Sequence, residues 1–358
     1  MVDFNKRILY LDQLRSLAII CVIIGHVCTF FGKGSYVNWM FSTAVISVVR
    51  VGVPLFLMVS GALLLNRKLE MSVFFKKRAR SVVVPFICWA IIYSIFGLLY
   101  FSYLPSYEPT LQYFVDVFFG FKGVSSILWF IWFLLGIYLL IPILNSFILD
   151  KGFEGARYLL LLIFVFSILF SAGFFTDPVK NLFRSIYYFV NAIAYYILGY
   201  YIHNREFDCS HEKLVIIGFV LFVFGALCNF YSMYTIDYGS WSINKLDFFN
   251  IFVIIETCGV FLMFRHFNVR MISEKLKPLK ETVFAKLVVS YSTCTFGIFF
   301  LHWLVVNYIA YNPFFEQFKV GKAYIWIPIF SVVIIFLCWA IIWILSKIPI
   351  LKICSGVK

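Results

Sequence analysis

Charged residues are scarce in this sequence: they make up 13% of its 358 residues, whereas 63% are hydrophobic. The mean hydropathy is +0.95. A soluble globular chain has about twice this charged fraction, so the composition excludes a soluble protein. The nine cysteines are scattered, mostly within apolar runs, and lack the spacing of a disulfide framework or of metal ligands. We therefore expect a polytopic membrane protein without a metal site.

Apolar runs recur along the whole chain at the length that crosses a bilayer, about 17 to 25 residues. Ten such runs lie near 14–31, 44–65, 82–104, 127–149, 157–175, 185–203, 213–232, 248–264, 288–311 and 324–346. The connections between them are too short for an independently folding unit, so residues 1–358 are predicted to form one transmembrane domain without a soluble domain. The apolar segment 110–120 is shorter and is predicted to be interfacial or re-entrant.

Positive charge predicts the orientation of these helices. With residue 1 in the cytoplasm, twenty-two of the thirty Lys and Arg residues fall on cytoplasmic segments and seven on the opposite side, with Arg50 inside a span. This bias predicts an all-α bundle of about ten transmembrane helices with both termini cytoplasmic. It also accounts for the net charge of +13 without nucleic acid, because basic loops set topology and contact membrane lipids.

The first predicted helix carries two polar side chains on one face. Arg15 and His26 are eleven residues apart, close to three helical turns, which separates them by roughly 16 Å along the axis. Ionisable side chains inside a membrane commonly mark functional sites. The alternative is that Arg15 anchors the cytoplasmic end of the helix and that His26 is a hydrogen-bonded residue near the outer end.

Further candidate residues lie in later spans. Arg50 is predicted near the outer end of the second span, where it and Ser60 would bind an acceptor, although an outer-end arginine also reaches the interface without a function. Glu256 and His302 are predicted near mid-membrane in the eighth and ninth spans. A buried carboxylate there serves catalysis, relays protons or makes a structural hydrogen bond, and His302 either reacts or orients another residue.

Five stretches resemble, in order, those of the acyltransferase-3 family, membrane enzymes that acylate carbohydrates and other cell-envelope molecules. They are LDQLR (11–15) with His26 eleven residues after Arg15, VPLFLMVSG (53–61), ILWFIWFLLGIYLLIPIL (127–144), SIYYFVNAIAYYILGYYI (185–202) and SYSTCTFGIFFLHWLVVNYI (290–309). Within the family the chain is similar to the stand-alone surface-polysaccharide O-acetyltransferase branch. It departs from the family pattern at Thr295.

The resemblance implies a reaction and roles for the candidate residues. The chain would transfer an acyl group, most simply acetyl, from cytoplasmic acyl-CoA to a hydroxyl of a surface polysaccharide or its lipid-linked precursor, in a bacterial plasma membrane. Acetyl-CoA is then a co-substrate, with no permanently bound cofactor. Catalysis is assigned to His26, Glu256 and His302, and acceptor binding to Arg50 and Ser60. The transfer is completed by this chain, alone or as a homo-oligomer, or by a separate extracellular partner.

The phosphates of the donor are assigned to Arg15 and to the basic stretch FFKKRARSVVVPF (74–86), with Lys77, Arg78 and Arg80. The Arg-x-x-Arg pattern of the family is altered here, because Ser81 follows Arg78 while Lys77 pairs with Arg80 in a shifted register. A polytopic transporter or flippase for a glycan or lipid-linked sugar is the alternative function, and a membrane sensor module on the same fold is a third.

Overall fold

The structure, a computed structural model, describes residues 7–32, 35–101, 107–171, 177–235, 247–273, 282–319, 322–349 and 351–357. Within these ranges the chain is mostly helical and contains no strand. The middle of the predicted basic loop 265–287 lies outside the described residues, so its predicted topology stays a prediction.

Long helices dominate the described part of the chain. They and the shorter helices between them are α1 (Leu9–Phe31), α2 (Tyr36–Val49), α3 (Gly52–Leu64), α4 (Met71–Arg78), α5 (Val84–Tyr100), α6 (Leu111–Phe119), α7 (Trp129–Ser171), α8 (Asp177–Asn204), α9 (His211–Tyr234), α10 (Ile251–Ser273), α11 (Val283–Tyr311), α12 (Glu316–Lys319), α13 (Ala323–Leu345) and α14 (Lys352–Ser355). A π-helical turn, Ala79–Val83, joins α4 to α5.

Seven helical stretches in the described ranges are long and apolar enough to cross a membrane. One of them, Gly123–Phe170, includes two segments of α7 that meet at Gly152, whose φ of 56° and ψ of −135° are not helical. Helices α8 and α10 are not among the seven, but their 28 and 23 residues also suffice to cross the hydrocarbon. The prediction of an all-α polytopic membrane protein is confirmed by these helices. The predicted number of about ten spans is reached when the two segments of α7 are counted separately and α8 and α10 are included.

The second span differs from its prediction at residues 44–65. The side chain of Ser35 accepts a hydrogen bond from the backbone N–H of Asn38 and caps the helix, so the span begins at Tyr36. It continues to Leu64 with a break at Arg50 and Val51, between α2 and α3. Arg50 lies at this break, further from the start of the helical stretch than predicted, and its depth in the membrane stays a prediction.

Helix α1 is at the centre of the bundle. It contacts α2, α3, α10, α11 and α13. Leu14, Ala18, Ile19 and Ile23 are all fully buried, so these neighbours enclose α1 along much of its length. Any polar side chain on α1 must therefore face protein or a cavity.

Small residues allow several helices of the bundle to touch along their backbones. A Cβ added to Gly61 of α3 would overlap the backbone of Tyr196 in α8, and one added to Gly199 of α8 would overlap the backbone of Met58 in α3. Gly218 of α9 and Gly259 of α10 face each other in the same way. Close backbone approach at small residues is a common way for membrane helices to associate.

The π-helical turn lies in the basic stretch before α5. Pro85, in the first turn of α5, has no N–H to continue the regular hydrogen-bond ladder at this point. A π turn takes up an extra residue and changes which side chains face inward, and such turns are frequent at functional sites. Here Arg78 and Ser81 face the interior, whereas Lys77 and Arg80 are exposed.

Candidate active site

A cavity of about 690 Å³ is present on the side of the bundle where α1 begins. Residues of α1, α3, α4, α7, α11, α13 and α14 line it, together with residues of the π turn. We call it the basic cavity, and we call this side of the bundle the basic side. Its volume is that of a typical small-molecule site.

The cavity is strongly cationic. Its lining includes the basic residues Arg7, Arg15, Arg78, Lys286, Lys347 and Lys352. No acidic residue is found among the described residues that line it. Because like charges concentrated in a partly enclosed space attract counter-ions, the cavity favours a ligand with several negative charges.

Two polar atoms in the wall of the cavity lack partners in the described part of the chain. They are Nε of Arg78 and Oγ of Ser81, both buried. The guanidinium carbon of Arg78 lies 5.2 Å from the ring centroid of Tyr138 and 5.3 Å from that of Phe74, which holds the side chain in place. Since buried polar groups are nearly always hydrogen-bonded, these two atoms are available to an anionic ligand.

Asp12, only 4% exposed, organises the mouth of the cavity. Its carboxylate accepts hydrogen bonds from Nε of Arg7 at 2.8 Å and from Oγ of Ser292 at 2.7 Å. Arg15, one turn further along α1, has no ion pair among the described residues. Arg15 lines the cavity, and the carboxylate of Asp12 interacts with its charge without forming an ion pair with it.

Of the other residues assigned to substrates, Ser60 lies in the basic cavity, whereas Lys77 and Arg80 lie outside it. Ser60 lines the basic cavity, and its hydroxyl donates to the carbonyl oxygen of Phe56 at 2.8 Å. Lys77 and Arg80 do not line the cavity. The structure thus brings Arg15, Arg78 and Ser60 together and leaves Lys77 and Arg80 outside the cavity, so a donor bound in the cavity is not expected to contact those two; their assigned roles are untested.

Two histidines meet further along α1. The ring centroids of His26 and His302 are 5.5 Å apart, and Trp303 packs on His26 at 4.7 Å. We call His26 and His302 the histidine pair. Their contact and that between Asp12 and Ser292 show that α1 and α11 run side by side in the same direction.

The hydrogen bonding of His302 defines its tautomer. Its Nδ1 lies 2.9 Å from the carbonyl oxygen of Ile298, and because a carbonyl only accepts, Nδ1 carries the proton. The Nε2 atom is buried and has no partner in the described ranges. His302, which is 0% exposed, therefore presents an unprotonated nitrogen that can accept a proton.

The cavity and the histidine pair are joined by two elements. Helix α1 is continuous from Leu9 to Phe31, so Arg15 and His26 lie on one helix at the predicted separation of roughly 16 Å. On α11, Phe299 lines the cavity and its ring centroid is 6.1 Å from that of His302. The cationic cavity and the two titratable rings are thus connected through α1 and α11.

Arg50 lies outside the basic cavity, in a second polar group of residues. Its guanidinium carbon is 3.7 Å from the ring centroid of Phe248, and it interacts electrostatically with Asp247 and with His26. The hydroxyl of Tyr195 donates to the carbonyl oxygen of Phe248 at 2.6 Å and fixes this segment. Asp247 precedes α10, and its burial raises the pKa of its carboxyl above the ordinary value.

Glu256 is fully buried at the contact between α9 and α10. One carboxylate oxygen accepts a hydrogen bond from Nδ2 of Asn229 at 2.9 Å, and the other has no partner among the described residues. Glu256 does not line the basic cavity. This hydrogen bond is the structural role considered as an alternative for Glu256, and its catalytic role stays a prediction.

Sequence reasoning missed several residues of the site. Asp12 could have been found, because it lies three residues before Arg15 and so on the same helix face. Trp303 directly follows His302, but an aromatic residue in a membrane helix carries no signal of its own. Asp247 meets Arg50 only through tertiary packing, and Ser81 and Tyr138 line the cavity together only through packing and the π turn, for which the sequence has no pattern.

Together these features define a class: a polytopic membrane protein with a cationic cavity on one side and a histidine pair inside the bundle. The chain belongs to the acyltransferase-3 family, because the model of this family, described as an acyltransferase domain, matches residues 8–344. The family implies membrane acyltransferase activity. No curated protein and no solved structure matches the chain.

Proposed function

We propose that this protein moves an acyl group, most simply acetyl, from acyl-CoA on the basic side of the membrane to a hydroxyl of a cell-envelope polysaccharide or its lipid-linked precursor on the other side. The observation that carries the proposal is the joining of a cationic cavity to the histidine pair through α1 and α11. The cavity would bind an anionic nucleotide, and a histidine would accept the proton. The separation between the two suits a long, thin donor.

The basic cavity is assigned to the nucleotide of acyl-CoA. Its phosphates would bind Arg15, Arg78 and the neighbouring lysines, because charge-assisted hydrogen bonds to guanidinium are strong and directional. The pantetheine arm, fully extended, covers a distance similar to the roughly 16 Å between Arg15 and His26. The basic side would then be cytoplasmic, as the distribution of Lys and Arg predicts.

The histidine pair is assigned to the transfer itself. The reaction breaks the C–S bond of the thioester, forms a C–O bond to the acceptor and leaves free CoA. In the direct route His26 takes the proton of the acceptor hydroxyl and returns it to the sulfur of CoA. In the covalent route a nitrogen of His26 takes the acyl group, and the displaced sulfur of CoA takes the imidazole proton. The acceptor oxygen then forms the C–O bond as the acyl–nitrogen bond breaks. Nε2 of His302 accepts the hydroxyl proton and passes it to His26.

Arg50 and Asp247 are assigned to the acceptor, because Arg50 interacts with both His26 and Asp247 and both residues lie outside the basic cavity. A guanidinium and a carboxylate together can donate to and accept from the hydroxyls of a sugar. The protein would act in a bacterial plasma membrane, alone, as a homo-oligomer, or with a separate extracellular partner that completes the transfer.

The proposal is tested by release of CoA from acetyl-CoA in the presence of bacterial envelope glycans. Purified wild type should release CoA, whereas His26→Ala should lose at least about 100-fold in rate, the scale of acid–base catalysis. His302→Ala should also be impaired, and intact-protein mass spectrometry without glycans distinguishes the two routes by showing whether an acyl-protein forms.

His211→Ala is the matched control, because His211 is an exposed histidine on α9 that lies outside the cavity and the pair. It should retain wild-type turnover. A wild type that moves glycan across a vesicle membrane but never consumes acyl-CoA would overturn the proposal in favour of a transporter.

A further inference from the structure

Phenylalanines close the end of the basic cavity that is farthest from the basic side. On α11 the lining reaches from Lys286 to Phe299, so Phe299 is the lining residue furthest along that helix. On α7 the lining comprises Phe130, Leu134 and Tyr138 at helical spacing, and Phe130 lies one residue from the start of this helix, away from the basic side. The two rings therefore meet at the same end of the cavity.

These two rings stand between the cavity and the histidine pair. Their centroids are 5.3 Å apart, and the side chains are only 7% and 6% exposed for Phe130 and Phe299. Phe299 also contacts His302, with ring centroids 6.1 Å apart, one helical turn further on. Neither His26 nor His302 is part of the described cavity lining. Phe299 thus touches both the cavity and His302, so a group that passes from the cavity to His302 along α11 meets this ring.

We propose that Phe299, packed against Phe130, determines the size of the acyl group that the protein transfers. This inference rests on the proposed function, in which the thioester of acyl-CoA reaches His26 from the basic cavity. The acyl group is the leading end of the donor, and it enters a space bounded by two buried aromatic rings. Close packing leaves little room there, so a short acyl group is accepted and longer chains are excluded.

The proposal predicts that substitutions of Phe299 and of its neighbour Phe296 have different effects on the choice of acyl group. Both are on α11 and both line the cavity. Phe296, however, packs on Phe300 and lies close to Gly356, on the part of α11 nearer the basic side. Phe296 would contact the donor without bounding the acyl group, and Phe296→Ala is therefore the matched control for Phe299→Ala.

The test compares acetyl-, butyryl- and hexanoyl-CoA as donors, with CoA release measured at equal protein and with the same envelope glycans. We expect wild type to prefer acetyl-CoA. In Phe299→Ala the ratio of kcat/KM for hexanoyl-CoA to that for acetyl-CoA should rise at least about tenfold, since a few methylenes in an apolar site discriminate on this scale. Phe130→Ala, on another helix, should shift the ratio in the same direction, and Phe296→Ala should not.

The ratio is insensitive to a partial loss of folded protein, because both donors are measured on the same sample. Phe299→Leu keeps most of the packing and should shift the ratio less, in the same direction. It replaces Phe299→Ala in the test if that variant does not fold. An unchanged ratio in Phe299→Leu and Phe130→Ala, with wild type active on acetyl-CoA, overturns the inference and leaves the proposed function standing. A wild type that releases CoA from none of the three donors refutes both.

Discussion

Substitution of Gly61 by alanine should separate α3 from α8. A Cβ at Gly61 would lie 2.6 Å from both the Cα and the carbonyl carbon of Tyr196, and closer still to its carbonyl oxygen. Carbon atoms at rest are about 3.5 to 4.0 Å apart, so the two backbones must move by about 1 Å. Neither backbone can move aside as a flexible side chain does, because both belong to long packed helices.

The expected cost follows from this overlap. Overpacking of a well-packed interior usually costs about 1 to 3 kcal/mol, and an overlap with backbone belongs at the upper end of that range. Helix α3 also supplies Phe56 and Ser60 to the wall of the basic cavity. A displacement of α3 by about 1 Å should therefore reduce acyl-CoA turnover as well as stability.

The assay is thermal unfolding in one detergent, followed by turnover of acetyl-CoA at a temperature where both variants are folded. Gly123→Ala is the control, because a Cβ at Gly123 has no neighbour within 4 Å. Gly199→Ala, on the other side of the same contact, should behave like Gly61→Ala. If Gly61→Ala and Gly123→Ala unfold at the same temperature, the α3–α8 contact described here is wrong.

Two further predictions concern charge. Arg78→Ala should raise the KM for acyl-CoA about tenfold or more, because it removes hydrogen bonds to a phosphate. Arg80 is exposed and does not line the cavity, so Arg80→Ala should change KM less than about twofold. Equal effects of the two on KM would contradict the placement of the donor. Asp12→Asn should lower the stability by about 1 to 3 kcal/mol in thermal unfolding, because it weakens the bonds from Arg7 and Ser292. Asp150→Asn, whose pair with Lys151 is more than half exposed, should be neutral, and an equal loss in both variants would refute this reading.

The helical framework could be predicted because membrane spans depend on local composition. A run of about 20 apolar residues must form a helix in a bilayer, whatever its neighbours are. The start of the second span at Tyr36 was missed because a cap at Ser35, and not hydropathy, sets it. The break at Arg50 and Val51 has a signal in the sequence, because Pro54 has no N–H to bond the carbonyl oxygen four residues earlier, and Gly52 is adjacent.

The site could be predicted where its residues share one helix. The placement of Arg15 and His26 on α1 followed from helical periodicity alone. The contact of His26 with His302 and the inward turn of Arg78 needed the packing of α1 on α11 and the π turn before α5. The separation of Glu256 from the cavity likewise depends on which face of α10 packs against α9, and the sequence around Glu256 does not show which face that is.

The central claim is that the basic cavity binds the donor and the histidine pair performs the transfer. Equilibrium binding of acetyl-CoA to purified His26→Ala and Arg15→Ala tests this division most directly. The account predicts that His26→Ala binds acetyl-CoA within about twofold of wild type, since the nucleotide provides most of the contacts, while Arg15→Ala binds at least about tenfold more weakly. If His26→Ala loses binding as much as Arg15→Ala, or if neither loses any, the division of roles between cavity and histidine pair is contradicted.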